Sequence, residues 1–211
     1  MEKIEIKCEG LSKSYNRKII FKNLSFSVSS GDSLSVTGKN GSGKSTLIKI
    51  LANLIQPNSG NISIKADENI IQPENRYLKT GLLSPYLNLY DELTGLENLE
   101  FYFLLKTKTE KNVKEKVKLF LEKTGLYERR NDLLKNYSSG MKQRLKLAFS
   151  IMNEPAILLL DEPRSNLDKA GIQIVEEIAN EQKSKGILII ATNDEDDKLL
   201  CCETLNIEDY K

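Results

Sequence analysis

Gly38-Lys39-Asn40-Gly41-Ser42-Gly43-Lys44-Ser45-Thr46 is the stretch on which the reading of this chain turns. It fits the spacing G-x-x-x-x-G-K-[ST]. Just before it, Leu34 and Val36 alternate with polar residues, as in a strand. From Lys44 the pattern becomes helical, with Leu47, Ile48, Leu51 and Leu54 on one face and an end near Pro57-Asn58. Strand, glycine-rich loop and helix start, in that order, make an anion cradle. Glycines let the backbone wrap a phosphate, several N–H groups converge on it, and the helix points its positive end at the same place. Lys44 is suited to neutralise β- and γ-phosphates, and the Ser45 hydroxyl to take a place on Mg2+.

Outward from this loop the chain alternates strand and helix. Ile4, Ile6 and Cys8 alternate with charged residues, Tyr15-Asn16-Arg17-Lys18 reads as a polar turn, and Leu24, Phe26 and Val28 alternate before Ser30-Gly31-Asp32. Two early strands with short turns predict a small antiparallel sheet. Ile62 and Ile64 mark one more short strand. Toward the C-terminus, Ile157–Leu160 and Ile187–Ile190 are apolar runs of the length of buried parallel strands, with a helix marked by Ile172, Val175, Ile178 and Ala179 between them. That alternation predicts an α/β core with a mostly parallel sheet. The middle differs. After Gly81-Leu82-Leu83 comes the loop Ser84-Pro85-Tyr86, then Thr94-Gly95-Leu96-Glu97, which has the form of a capping box. Residues from about 95 to 154 read mostly as helices. Between Glu110 and Lys123, Val113, Val117, Phe120 and Leu121 share a stripe and lysines occupy the other face. Those lysines suit anionic headgroups or a partner, and equally a plain solvated helix face. The expected organisation is one domain over 1–211, with a helical subdomain at about 86–154 inserted in the α/β core.

Composition excludes several classes. With 211 residues the chain can bury a sizeable core without disulfide or metal staples. Lys plus Arg is 31 and Asp plus Glu is 30, so the formal charge is +1, without the basic excess of a nucleic-acid coat. No nucleic-acid partner is expected. No apolar run approaches the ~18 residues needed to cross a bilayer, and the opening MEKIEIKCEG puts charges where a signal peptide is apolar. Cys8, Cys201 and Cys202 form no even framework and no metal spacing, which suggests free thiols in a reducing cytoplasm. Histidine is absent, which removes imidazole acid–base chemistry, Ser-His-Asp triads and nearly all catalytic zinc sites.

Two more segments carry chemistry. Leu158-Leu159-Leu160-Asp161-Glu162-Pro163 is an apolar strand ending in acid, which sets carboxylates at the carboxyl edge of the sheet, where α/β folds bind ligands. Asp161 can hold Mg2+, and Glu162 can polarise a water against a γ-phosphate. Tyr137-Ser138-Ser139-Gly140-Met141-Lys142-Gln143-Arg144 precedes a helix carrying Leu145, Leu147, Ala148 and Ile151. Small residues at a helix start form a second anion site or an ordinary cap.

Phosphate loop, helical insert, small-residue helix start and acid-ended strand follow one another at the spacing of ABC-type ATP-binding cassettes, which the chain resembles over its whole length. Gly38, Lys39, Asn40, Gly41, Ser42, Gly43, Lys44, Ser45 and Thr46 are similar to the Walker A loop. Tyr15 stands where such cassettes keep an aromatic residue that stacks on adenine. Ser138-Ser139-Gly140-Met141-Lys142 resembles the signature usually written LSGGQ, and makes Ser138, Ser139 and Gly140 nucleotide-binding candidates. Asp161 matches the Walker B aspartate and, with Ser45, is the metal candidate. Glu162 matches the catalytic glutamate, and Ser165-Asn166-Leu167-Asp168 resembles the D-loop.

The resemblance implies a P-loop NTPase fold, with ATP and Mg2+ as cofactors and ATP hydrolysis as the activity. It also implies a head-to-tail homodimer, or a heterodimer with a related cassette, in which each ATP lies between one subunit's Walker A and the other's signature. The further expectation is an ATPase subunit powering transport through a separate integral membrane partner, at the cytoplasmic face of the inner or plasma membrane. The short frame looks most like export-type cassettes, including the small haem-exporter kind. The alternative is a soluble ABC ATPase of repair or translation, but those usually carry a coiled-coil insertion or two cassettes. A GTPase or small-molecule kinase is a third reading. Asp168-Lys169-Ala170-Gly171 fits D-x-x-G, but no N-K-x-D guanine reader exists in the chain. Two family groups are replaced. The glutamine that contacts metal and water falls on Pro85, and the switch histidine falls on Asn193, which joins Lys44 and Glu162 as a catalytic candidate.

Overall fold

The computed structural model describes residues 2–107 and 112–211. Glu110 and Lys111, at the start of the expected helix to Lys123, lie outside the described residues. The chain opens on a hairpin of β1 (Ile4–Tyr15) and β2 (Lys18–Ser29). Tyr15 pairs with Lys18, and the two residues between them, Asn16 and Arg17, have φ of 48° and 65°. Two successive left-handed residues give the turn whose twist matches a tight hairpin. The strand β3 (Ser33–Thr37) and the helix α1 (Lys44–Leu51) flank the glycine loop. Then β4 (Ser59–Ala66) pairs antiparallel with β1, and β5 (Asn69–Ile70) with β4. The first sheet thus runs β2-β1-β4-β5.

After the one-turn α2 (Arg76–Lys79) come β6 (Thr80–Leu83), α3 (Gly95–Thr107), α4 (Val113–Lys123) and α5 (Ser139–Ile151). The remainder alternates: β7 (Ile157–Asp161), α6 (Lys169–Lys185), β8 (Ile187–Ala191), α7 (Glu195–Leu199) and β9 (Glu203–Asn206). The second sheet is parallel throughout, in the order β6-β7-β8-β3-β9. Every residue of β3, β7 and β8 is buried, as expected of strands covered on both faces. The fold is that of a P-loop NTPase: a parallel sheet, a small antiparallel sheet and a helical segment between β6 and β7.

Three apolar clusters hold these layers. One joins the inner face of the antiparallel sheet, α1 and one face of the parallel sheet, with Ile6, Phe21, Val36, Leu47 and Ile189 among its members. A second covers the other face through Leu147, Ile151, Val175 and Ile178. The third lies among the helices, around Leu99, Val117, Leu121 and Leu145. The helix α5 contributes to the last two, so it ties the helical segment to the sheet. It lies directly on β6, since a Cβ on Gly81 would sit 1.9 Å from the Ser150 carbonyl oxygen.

The helix α1 is shorter than its apolar pattern suggests. It stops at Leu51 rather than near Pro57-Asn58. Asn53 turns left-handed, with φ 58°, and the N–H groups of Asn53 and Leu54 return to the carbonyls of Ile50 and Lys49. This is a left-handed C-terminal cap. It swings Leu54 away from the buried face, leaving it 62% exposed. Among the described residues no helix is long and apolar enough to cross a membrane.

Candidate functional site

At the carboxyl edge of the parallel sheet, β3 delivers the chain into the glycine loop. Gly38 and Gly43 have φ of 138° and 119°. A Cβ on Gly38 would lie 2.8 Å from Ser42 Oγ, and one on Gly43 2.3 Å from Ile20 Cγ2. The loop closes on itself through Ser42 N–H to the Lys39 carbonyl at 3.0 Å. Gly43 precedes α1 and offers no side-chain cap, and the first turn of α1 carries no acid. Its leading N–H groups are therefore left for an external anion. The Lys44 side chain curls back under the loop. Its ammonium donates to Gly38 O at 2.7 Å, Lys39 O at 3.4 Å and Asn193 Oδ1 at 3.0 Å. Asn193 in turn donates from Nδ2 to Asn40 Oδ1 at 2.6 Å.

The strand β7 brings its acids to the same place. Asp161 is fully buried. Its Oδ1 accepts from Ser45 Oγ at 3.0 Å, while Oδ2 is buried with no hydrogen-bond partner. Burial pushes its carboxyl up, against the Ser45 hydrogen bond and the charges of Lys49 and Lys44. No group of three or more His, Cys, Asp or Glu that could hold a metal exists among the described residues. One orphaned carboxylate oxygen beside one hydroxyl suits Mg2+, which keeps waters and phosphate oxygens for its other positions. Glu162 follows in the left-handed region, φ 52°, with its N–H on the Ala191 carbonyl at 2.9 Å. Such a residue costs about 1–3 kcal/mol and is held by its surroundings. Its Oε1 lies 3.9 Å from the Lys44 ammonium. Burial raises its pKa, opposed by Lys44 and reinforced by Asp161, Asp197 and Asp194. A raised carboxylate is the better general base.

The structure thus brings together Gly38–Thr46, Asp161, Glu162 and Asn193. Tyr15 lies beside this group rather than in it. It ends β1 at the hairpin tip, with Lys13 Nζ 5.0 Å from its ring centroid, and the same hairpin supplies the Ile20 that meets Gly43. Ser138, Ser139 and Gly140 make no hydrogen bond to the glycine loop. Ser138 caps α5, accepting from the Met141 N–H at 3.2 Å. Gly140 faces the 165–168 loop, where a Cβ would come within 2.9 Å of Asn166 O. Pro85 offers only its carbonyl, which takes Lys146 Nζ at 3.0 Å.

Two further side chains brace these elements. Gln143 is buried and donates to the carbonyls of Glu162 and Pro163, at 3.4 and 3.2 Å, linking α5 to the turn after β7. Arg164 pairs with Asp197 at 2.7 Å and Glu176 at 2.9 Å. Asp197 accepts from Thr192 Oγ1 at 2.8 Å, which braces the backbone next to Asn193.

The family model described as "ABC transporter" matches residues 21–165. The chain belongs to the ABC transporter family. It is an ABC-type ATP-binding cassette and an ATPase. It is 35% identical over 195 residues to the arginine transport ATP-binding protein ArtM of Bacillus subtilis, covering 90% of this chain and 81% of that one. To the cytochrome c biogenesis ATP-binding export protein CcmA of Mannheimia succiniciproducens it is 31% identical, over 98% of this chain and 95% of that one. Other relatives are longer, and the chain spans 53–61% of three of them. Among solved structures it resembles the ATP-binding subunit of an ABC transporter with a TM-score of 0.83 and 27% identity, over 96% of this chain and 85% of that one.

Proposed function

We propose that this ABC cassette is the ATP-hydrolysing subunit of a transporter, powering export through a separate membrane-spanning partner. The observation that carries the reading is the convergence of Lys44, Ser45, Asp161, Glu162 and Asn193 around one glycine loop, although they come from three separate segments of the chain. The loop N–H groups and Lys44 bind the phosphates, and Tyr15 at the hairpin tip serves adenine. Asp161 and Ser45 would hold Mg2+, whose charge would offset that of the phosphate oxygens. Glu162 takes a proton from a water as its oxygen bonds to the γ-phosphorus. The bond to the bridging oxygen breaks, releasing ADP and inorganic phosphate. The Asn193 amide donates toward the γ-phosphate, a weaker contact than a cationic donor gives.

Ser138, Ser139 and Gly140 act on the nucleotide of a second cassette. Their lack of any bond to the loop in their own chain favours this reading, which makes the working form a head-to-tail dimer of identical or related cassettes. Residues of about 86–154 are the helical subdomain of one domain spanning 1–211. Between this segment and the sheet runs an apolar groove lined by Leu54, Leu82, Leu105, Phe149 and Met152, suited to a segment of the membrane partner. Contact with that partner holds the cassette at the cytoplasmic face. Export is favoured by the likeness to an export protein over 98% of the chain. Affinity purification from detergent-solubilised membranes tests the assignment. An integral membrane protein should co-purify, and ribosomes or DNA in its place would overturn the reading.

A further inference from the structure

The glycine loop is braced from outside by a turn that the proposed reaction does not use. After β9 the chain makes one short helical turn, Ile207–Tyr210. Asn206 caps it, its Oδ1 accepting the Glu208 N–H at 3.2 Å. Ile207 is fully buried and packs against both ends of the loop. Its Cγ2 lies 3.0 Å from where a Cβ on Gly38 would stand, and its Cδ1 3.5 Å from one on Gly43. The next side chain, Glu208, bonds the loop itself: its Oε2 accepts the Lys39 N–H at 3.2 Å.

Lys39 is thereby held from two sides. Its N–H goes to Glu208, while its carbonyl takes the Ser42 N–H at 3.0 Å and the Lys44 ammonium at 3.4 Å. The loop needs such fixing, because Gly38, Gly41 and Gly43 all have positive φ, and glycine loses more conformational freedom on ordering than any other residue. A hydrogen bond to a charged acceptor is stronger than one to a neutral group, and this one lies entirely within the chain. The same carboxylate carries a negative charge beside a loop that takes phosphates, which opposes the ligand. Acceptor and charge therefore pull in opposite directions, and a substitution can separate them.

We propose that Glu208 is a positioning residue for nucleotide binding: by fixing the Lys39 peptide it presets the loop in which Lys44 and the leading N–H groups of α1 meet phosphate. It acts through Lys39 rather than on the nucleotide. The inference rests on the reading of Gly38–Thr46 as the phosphate loop. It makes the turn after β9, with Ile207 against the glycines and Glu208 on Lys39, an outer wall of the nucleotide site.

The test measures, on the purified chain with Mg2+, the Kd of a fluorescent ATP analogue and the KM and kcat of steady-state ATP hydrolysis. Glu208→Ala removes the acceptor, so Kd and KM should rise together by about fivefold, the size expected of one lost hydrogen bond to a charged group, while kcat moves by less than about twofold. Glu208→Gln keeps an acceptor and drops the charge, and should bind at least as tightly as wild type. Wild-type Kd in Glu208→Ala overturns the proposal. So does a Glu208→Gln variant as weak as Glu208→Ala, or a loss confined to kcat. Lys44→Ala separates the two levels. If ATP affinity is indifferent to it, the phosphate-loop reading fails and the inference with it. If affinity is lost there but unmoved in Glu208→Ala, the inference alone fails.

Discussion

Lys44 is a charge that folding has already placed. Its ammonium bonds Gly38 O, Lys39 O and Asn193 Oδ1 in a nearly closed nook, so the long side chain pays little further ordering entropy when phosphates arrive. Lys44→Ala removes charge-assisted hydrogen bonds worth roughly 1.5–3 kcal/mol each, and ATP affinity should fall about a hundredfold or more. Titration with a fluorescent ATP analogue checks this, and wild-type affinity in the variant would refute the phosphate-loop assignment. Asn193 shares that nook but contributes a neutral amide. Asn193→His places a donor of longer reach, cationic when protonated, on the γ-phosphate side. The steady-state ATPase rate should rise with little change in ATP affinity. An unchanged or lower rate would show that Asn193 is already a competent partner of the γ-phosphate. The glycine loop, Asp161 and Glu162 are legible because each sits in a short run whose residue types suffice to mark it, whereas Asn193 is singled out only by the resemblance to ABC cassettes. Arg164 carries no such mark, since it acts through a contact between segments that no local pattern joins, meeting Asp197.

Elements show the same division. The runs Ile157–Leu160 and Ile187–Ile190 announce β7 and β8 because strands buried on both faces must be apolar throughout. Four-residue β6 and β9 carry no such mark: Glu203 and Thr204 are exposed on β9, and Gly81 in β6 is there for the close approach of α5. The apolar pattern runs past the end of α1 because a cap formed by Asn53 is a backbone event with only a weak residue signature. At this scale Lys106 on α3 gives a measurable handle. It reaches across to the start of β6, donating to Thr80 O at 3.0 Å. Burial lowers its pKa from 10.5 to about 8. A lysine lowered by folding binds fewer protons in the native state than in the unfolded one, so stability rises with pH between about 8 and the unfolded value near 10.4, and the full penalty applies below that window. Lys106→Met should therefore raise the melting temperature at pH 7 by a few degrees, for a gain of about 1–2 kcal/mol. The gain should shrink steadily toward pH 10. Thermal melts of both proteins at pH 7, 8.5 and 10 measure it, and a pH-independent difference would mean that packing, not charge, sets the effect.

On the proposed reading, one whole molecule brings only part of a nucleotide site to bear. Gly38–Thr46 with Asp161 and Glu162 gather at one end of the parallel sheet, while Gly140, at the start of α5, lies against the 165–168 loop. With 31 basic and 30 acidic residues, two copies neither attract nor repel strongly through net charge. What draws them together must lie at the site. In the proposed head-to-tail dimer ATP would supply it, because phosphates bound to one loop would present negative charge to the helix start of α5 in the second copy, where Ser138 and the following N–H groups would meet it. Hydrolysis would remove that bridge. Glu162→Gln keeps the size of the side chain while deleting the carboxylate proposed to accept the water's proton. The turnover rate should drop by about 10²–10⁴, and the ATP-bound state should persist. Sedimentation velocity should then find the variant monomeric without nucleotide and dimeric with Mg-ATP at micromolar protein. A single monomeric species under both conditions would remove the shared-site mechanism, because a cassette able to hold ATP but not to break it down has every opportunity to trap its partner.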